Sequence, residues 1–503
     1  MTRQLDYPFL YGFLLLVLIT ACTTSTEQQA EQRPNFLLLL SDNHYYEHLG
    51  CYGDPVVKTP AIDAIASNGI RFTNAYCAAP SCTPARAAML TGQDIWRLKE
   101  GGNLWSTLSK DILTYPDLLE SAGYQVGHDR KGWGPGDYKV GGRDRNPAGY
   151  TFKDFASFLT ANTTDKPWSY WLSSRNPHRP FEHGAGIASG MDPAKVKVPP
   201  YLPDTDEVRA DICDYYFQIQ QFDQEVAEAV ALLKEKGLSE NTIIVVSGDN
   251  GWMMPRGLAN LYDFGTRVPL IISWPKKYQG DRVVSDFVSL NDLAPTFLEM
   301  AGLSPPQEMT AQTLLPILKS EANGNVKPER DFIVTAIERH ALCRTGGLGY
   351  PGRAIRTDSF LYIENFHPER WPAGDPPLFG DIDLHMLQDR SPTKEYMMLH
   401  KDDPAVQRLY EQAFLKRPGE ELFDLMKDPY QMTNLAKDPA YQAQKTNLKQ
   451  KLQAHLVKTE DPRALGEEPL WDTYPYMKEA DWIGKPRQEA QEIFGLKAAY
   501  PYR

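Results

Sequence analysis

Apolar positions fall into two alternating spacings from about residue 35 onward. Short unbroken runs such as Phe36–Leu40 and Thr242–Val246 have the length and composition of strands buried on both faces. Pro269–Trp274 and Phe332–Ala336 read as further strands, the latter as the last strand of the large sheet. Between them lie stretches with a helical period. Residues 207–236 are the clearest: Val208, Ile212, Tyr215, Ile219, Phe222, Val226, Val230 and Leu233 recur every three or four positions, and Gly237 ends the run. That stripe is read as core packing and not as a cofactor box. Thr59-Pro60 opens a helix over Ala61–Ser67. Another over Tyr115–Ala122 is closed by Gly123 and followed by a strand at Tyr124–Gly127, and Asn291–Met300 forms one more. The alternation predicts an α/β fold: a large mixed, mostly parallel sheet flanked by helices.

After Gly346 the character changes to strands and turns, as in Arg353–Ile363, Glu421–Leu425 and the Asp428-Pro429 turn, which predicts a smaller C-terminal antiparallel-sheet subdomain. A helix from about Tyr441 to Val457 would cover it, and the Pro-, Trp- and Tyr-rich residues after Asp461 would wrap the surface. No internal repeat, P-loop, GxGxxG or nucleic-acid motif is present.

Composition changes this picture at the N-terminus. Arg3 precedes an apolar run from Pro8 to Ala21, short for a bilayer span and typical of a secretory signal. Ile19-Thr20-Ala21-Cys22 resembles the lipobox of bacterial lipoproteins, which makes Cys22 the lipidated residue. The expected organisation is a signal at 1–21, a polar tether at 22–33, a catalytic domain at 34–345, and a C-terminal subdomain with its tail at 346–503. At 503 residues and 42% hydrophobic, the chain can bury a core of that size. Cys51, Cys77, Cys213 and Cys343 show neither a C-x-x-C nor a zinc spacing, so no dense disulfide framework is expected. Residues 1–21 hold one Arg and one Asp, so the net charge stays at -12 without them. Bulk attraction to a polyanion is excluded, and any anionic substrate must meet cations concentrated in a pocket.

Two acidic pairs, Asp42-Asn43 and Asp249-Asn250, follow apolar strands, and ligands of parallel sheets gather at strand carboxyl ends. Both offer hard oxygens without imidazole, so the implied ion is Ca2+, with Mg2+ less favoured, and not zinc. Between them in sequence, Ser81–Gly92 contains C-x-P-x-R: Cys82 opens a helix, Pro84 suits its first turn, and Arg86 lies one turn beyond the cysteine on the same face, where it is expected to act as a fixed catalytic cation beside it.

C-x-P-x-R and Leu90-Thr91-Gly92 resemble the signature of type I sulfatases, in which the cysteine becomes formylglycine (3-oxoalanine). The resemblance extends through Gly50-Cys51-Tyr52-Gly53, Asn176-Pro177-His178-Arg179-Pro180, Gly248-Asp249-Asn250-Gly251 and Leu261-Tyr262-Asp263, roughly from Arg33 to Asn434. Val198–Thr205 is most similar to the heparan N-sulfatase branch and bacterial polysaccharide sulfatases. The resemblance implies an alkaline-phosphatase-like fold and a metal held by Asp42, Asn43, Cys82, Asp249 and Asn250. It also implies Lys131 as a sulfate holder and His178 as the acid for the leaving group. Two departures stand out: the usual K-x-H reads Lys131-Gly132-Trp133, and a lysine common before the Tyr-Asp pair is Leu258. Arg256 or His128 could compensate, and His340 and Arg344 are candidate substrate contacts. The implied partners are a sulfated glycan and a formylglycine-generating maturase, with membrane contact only through the lipid anchor, in the bacterial periplasm or on the cell surface, held to the outer membrane. The rival readings are a phosphonate or phosphate ester hydrolase and a glycan-binding surface lipoprotein without turnover.

Overall fold

The computed structural model describes residues 32–478 except 165, 279, 383–390 and 468, together with residues 1, 2 and 4. The apolar run Pro8–Ala21, Cys22 and most of the tether lie outside the described residues. No helix among the described residues is long and apolar enough to cross a membrane.

Eight strands form the large sheet: β1 (Asn35–Ser41), β2 (Ile70–Tyr76), β3 (Gln125–His128), β4 (Tyr150–Thr151), β5 (Trp168–Ser173), β6 (Thr242–Gly248), β7 (Leu270–Ser273) and β8 (Arg282–Ser289). Their order is β4-β3-β5-β1-β6-β7-β2-β8, and only β7 runs antiparallel to its neighbours. Successive side chains of a strand point to opposite faces. Accordingly Leu37 and Leu39 pack with Ile212, Ile219, Phe222 and Val226 of the 30-residue helix Asp206–Glu235. On the other face Phe36, Leu38 and Leu40 join Phe297 and Leu298 of the helix Leu293–Met300. Both faces of the sheet are covered, which is why its central strands read as unbroken apolar runs.

The second sheet is antiparallel, in the order β12-β11-β10-β9, with β9 (Phe332–Ile337), β10 (Gly352–Thr357), β11 (Phe360–Asn365) and β12 (Glu420–Asp424). The expected placement of Phe332–Ala336 in the large sheet is corrected here: Val334 pairs with Ile355 and Thr335 with Ala354. An apolar run specifies a buried strand but not its partner, and the nearby β10 supplies the edge that β9 fills. The helix Gln442–Lys458 covers this sheet with Leu448, Leu452 and Leu456.

The residues after Asp461 do more than wrap. Trp471 is buried, with its indole N–H donating to the Lys99 carbonyl (3.1 Å) and its own carbonyl accepting from Asn103 Nδ2 (2.9 Å). Asp472 accepts from the Gly349 amide (2.7 Å) and from Arg370 (2.8 Å). This segment is tied both to residues 99–103 and to the loops that precede β10 and follow β11 of the small sheet.

Candidate active site

Carboxyl ends of parallel strands converge on one place. β1 delivers Asp42 and Asn43, and its neighbour β6 delivers Asp249 and Asn250. Asn43 takes a left-handed backbone conformation (φ 68°) that asparagine tolerates better than most residues. Its amide donates to Asp249 Oδ1 (3.0 Å), and the Asp249 amide donates to the Ser41 carbonyl (3.1 Å). β2 leads through residues 77–81 into the helix Cys82–Thr91, whose residues are all buried and which ends on Gly92 at φ 63°. Lys131 follows β3, and His178 follows β5.

Cys82 Sγ lies 3.4 Å from Asp42 Oδ1 and 3.6 Å from both Asn43 Oδ1 and Asn250 Nδ2. Suitable ligand atoms of Asp42, Cys82 and Asp249 all lie within 4.8 Å of one another. Arg86 is fully buried beneath them. Its Nε donates to Asp249 Oδ2 (2.8 Å), and its NH1 donates to the Gly132 carbonyl and the Ser173 hydroxyl (both 2.7 Å). Its NH2 sits 3.8 Å from Asp42 Oδ2. Arg86 therefore braces the two carboxylates through the fixed fork of its guanidinium. Lys131 Nζ donates to Asp42 Oδ2 at 2.6 Å.

Burial alone would raise both carboxyls. At Asp42 the charges of Lys131, His178 and Arg86 outweigh burial and hold the group well below the usual carboxylate range. At Asp249 burial and the charge of Asp42 outweigh Arg86 and Lys131 and push the group up. Burial, with Asp42 adding to it, drives the Cys82 thiol well above its ordinary value. An unmodified Cys82 would stay protonated and be a poor nucleophile.

The oxygen cluster fits a hard divalent cation. Asn250 Oδ1 is buried with no hydrogen-bond partner among the described residues, an arrangement that costs free energy unless a ligand meets it. Asn250 Nδ2 donates to Asp249 Oδ1 (2.9 Å), and the Asn43 carbonyl oxygen and the Asp42 and Asp249 carboxylates complete the oxygen-bearing group, with no imidazole in it. That donor set suits Ca2+ or Mg2+ and disfavours zinc.

Above the cluster opens a cavity of about 500 Å³ whose lining includes Asp42, Cys82, Lys131, His178 and His340. The His178 Nδ1–H donates to the Arg179 carbonyl, which fixes the orientation of the ring. His340 Nδ1 is 2.8 Å from the Ser81 hydroxyl, next to Cys82. A larger cavity of about 750 Å³, lined by Asp94, Arg330 and His455 among others, holds none of the predicted site residues.

Comparison with known proteins decides the family: the sulfatase family model matches residues 34–303. The chain belongs to the sulfatase family. It is 28% identical over 494 residues to an ulvan-active sulfatase of Formosa agariphila, covering 88% of this chain and 78% of the relative. It is 26% identical over 484 residues to human N-sulphoglucosamine sulphohydrolase, covering 85% of this chain and 91% of that protein. A structure solved with its substrate D-glucosamine-2-N,6-O-disulfate superposes with a TM-score of 0.64 at 19% identity, over 87% of this chain and 100% of the other. The enzyme class is therefore that of sulfuric ester hydrolases, and the fold is the alkaline-phosphatase-like one expected from the motifs.

Three predicted contributors to this sulfatase site lie elsewhere. Arg256 is buried, donates to the Gln431 carbonyl (2.5 Å) and stacks 4.4 Å over the Tyr262 ring, so it ties loops together and does not replace the lysine absent at Leu258. Arg344 is held by Asp381 (2.5 Å) and the carbonyls of Trp371 (2.7 Å) and Pro372 (2.8 Å). His128 is tied to the Asp129 carbonyl and the Thr151 hydroxyl, each at 3.0 Å, at the sheet edge. Trp133, in place of the expected histidine, is packed in the core. The cavity also recruits Trp105, Arg130, Arg175, Tyr476 and Lys478, for which the sequence carries no motif.

Proposed function

We propose that this sulfatase hydrolyses sulfate groups of a sulfated polysaccharide or its oligosaccharides, using Cys82 matured to formylglycine and a Ca2+ ion held by Asp42, Asn43, Asp249 and Asn250. The observation that carries the reading is Cys82 at a helix start, buried against those four oxygen-bearing residues and facing a cavity rich in cations. The hydrated aldehyde would supply one hydroxyl to attack sulfur and a second whose proton loss releases sulfate, which a serine or thiol cannot do. The remaining roles belong to the chain's own side chains. Lys131, held at 2.6 Å from Asp42, presents an ammonium at the cavity for a sulfate oxygen. His178 protonates the leaving oxygen or nitrogen. His340, oriented by Ser81, is the second imidazole of the cavity and takes up the proton at the nucleophile, the work of the histidine absent at Trp133. Arg86 keeps the carboxylates in place.

A carbohydrate substrate is supported by the relatives named for ulvan and N-sulphoglucosamine. Export and anchoring through Cys22 rest on the lipobox-like sequence alone.

The test combines mass and rate. Coexpression with a formylglycine-generating maturase should lower the mass of the peptide containing Cys82, and Cys82→Ser should cut sulfate release from sulfated glycans by several orders of magnitude. Residual turnover above about a tenth of wild type would refute the nucleophile. Faster cleavage of phosphate esters than of sulfate esters would instead favour the phosphoesterase reading.

A further inference from the structure

One aromatic side chain of the cavity is held where a bulky residue rarely sits. Trp105 lines the same cavity as Cys82, Lys131 and His178, and its backbone is in the left-handed region at φ 51°. A side chain as large as tryptophan is crowded by its own backbone there, so the conformation persists only where the surroundings over-determine it. Here they do. On one side the Leu104 amide donates to the Arg339 carbonyl (3.0 Å), and on the other the Asp137 amide donates to the Ser106 carbonyl (2.9 Å). The Trp105 carbonyl itself accepts from the Met477 amide (2.7 Å). Asn103 is fixed as well, its Nδ2 donating to the Trp471 carbonyl (2.9 Å) and its Oδ1 accepting from the Arg339 amide (3.1 Å).

Core packing does not account for this placement. The Trp105 side chain is half-buried and belongs to neither hydrophobic core. The indole N–H groups of Trp96, Trp274 and Trp471 each donate to a backbone carbonyl, those of Thr459, Glu240 and Lys99, at 3.1 Å. The Trp105 N–H makes no hydrogen bond among the described residues. Lys478 Nζ lies 4.8 Å from the centroid of the Trp105 ring, and the Tyr476 ring is 6.5 Å away at 47°, so these neighbours support part of the indole while Trp105 lines the cavity.

We propose that Trp105 is a sugar platform: the sugar presented to Cys82 packs its C–H face on the part of the indole that its neighbours leave uncovered, and the indole N–H donates to a sugar oxygen. The inference rests on the glycan-sulfatase reading and adds the residue that selects a ring-shaped sulfate ester over a bare anion. A sugar ring has C–H groups that an indole surface removes from water, and oxygens at its edge that accept a hydrogen bond. The strained backbone is then the means by which the fold aims the ring at the cavity.

The test uses full-length protein with Cys82→Ser as background, so that no ligand is turned over. Sulfated oligosaccharides prepared from ulvan and from heparin, and inorganic sulfate as the control without a sugar, are titrated calorimetrically. The best-bound oligosaccharide should exceed sulfate in affinity by about tenfold or more. Trp105→Leu should remove most of that advantage, and Trp105→Phe, which keeps an aromatic face without the N–H, should remove less of it. Saturation with the same oligosaccharide should change the tryptophan fluorescence, and most of that change should be missing in Trp105→Phe although the ligand still binds. A merely structural role would not move this signal, so the Phe comparison decides even where Trp105→Leu melts lower. If no oligosaccharide binds more tightly than sulfate, if Trp105→Leu keeps the advantage, or if the fluorescence change survives Trp105→Phe, Trp105 is not the platform. Absence of sulfate release by the matured protein with the oligosaccharide preference intact would count against the proposed activity and leave the platform standing.

Discussion

Replacing Arg86 by Met tests how the site is held together. The side chain is fully buried and donates to Asp249, the Gly132 carbonyl and the Ser173 hydroxyl at 2.7–2.8 Å, with Asp42 3.8 Å away. Met fills a similar volume without charge or donors. Hydrogen bonds to charged groups contribute about 1.5–3 kcal/mol each, and removing one partner of a buried ion pair costs about 3–5 kcal/mol because a charge is left uncompensated. These descriptions overlap, so the expected loss is about 3–5 kcal/mol and not their sum. The same change leaves the oxygen cluster more negative and should raise its affinity for a divalent cation. Calcium should then stabilise the variant more than the wild type, because a ligand bound only to the folded state adds stability by mass action. Urea unfolding followed by tryptophan fluorescence, in excess chelator and in saturating calcium, reads both effects, and calorimetric calcium titration reads the affinity directly. A variant within about 1 kcal/mol of wild type in chelator would refute the bracing role of Arg86. A smaller calcium increment in the variant would refute the cation reading of the cluster.

Two more outcomes are expected. His178→Ala should slow hydrolysis of a sugar sulfate far more than that of nitrophenyl sulfate, whose phenolate leaves unaided; equal losses with a lowered melting temperature would make His178 structural. Asp94, far from this chemistry in the larger cavity, has its carboxyl raised to about 6, chiefly by burial with Asp292 adding to it. Its folded pKa exceeds the ordinary value of 3.8, so its contribution is fully present below about pH 4 and is lost as pH rises through 6. Asp94→Asn should accordingly stabilise the protein above pH 6, by up to about 3 kcal/mol, and have no effect near pH 4. Melts at both pH values check it, and an equal gain at both would contradict the titration argument. The 4.0 Å approach of His455 to Asp94 does not offset this at neutral pH, because burial holds His455 down to about 4 and it is uncharged there.

What the sequence determined by itself is what depends on local order. Unbroken apolar runs placed β1 and β6 in a doubly covered sheet, the three-to-four spacing placed the helix Asp206–Glu235, and Asp-Asn pairs just past those strands had to lie at carboxyl ends. C-x-P-x-R set Cys82 and Arg86 on one helix face because spacing along a helix is fixed. Strands without such runs escaped notice. β2 (IRFTNAY) and β8 (RVVSDFVS) alternate buried with half-exposed positions, and β5 (WSYWLS) interleaves serines with aromatics. Pairing was invisible too, so β9 read as a strand of the wrong sheet. The tertiary structure alone decided which charged side chains serve the cavity. Arg256 and Arg344 looked available but are consumed by Gln431 and Asp381, partners 175 and 37 positions away. Tyr476 and Lys478 carried no signal yet line the cavity, because Trp471, Asp472 and Met477 bind loops more than 100 residues earlier. A buried cation or carbonyl must find a partner wherever the fold brings one, and that partner's distance along the chain leaves no periodicity to read.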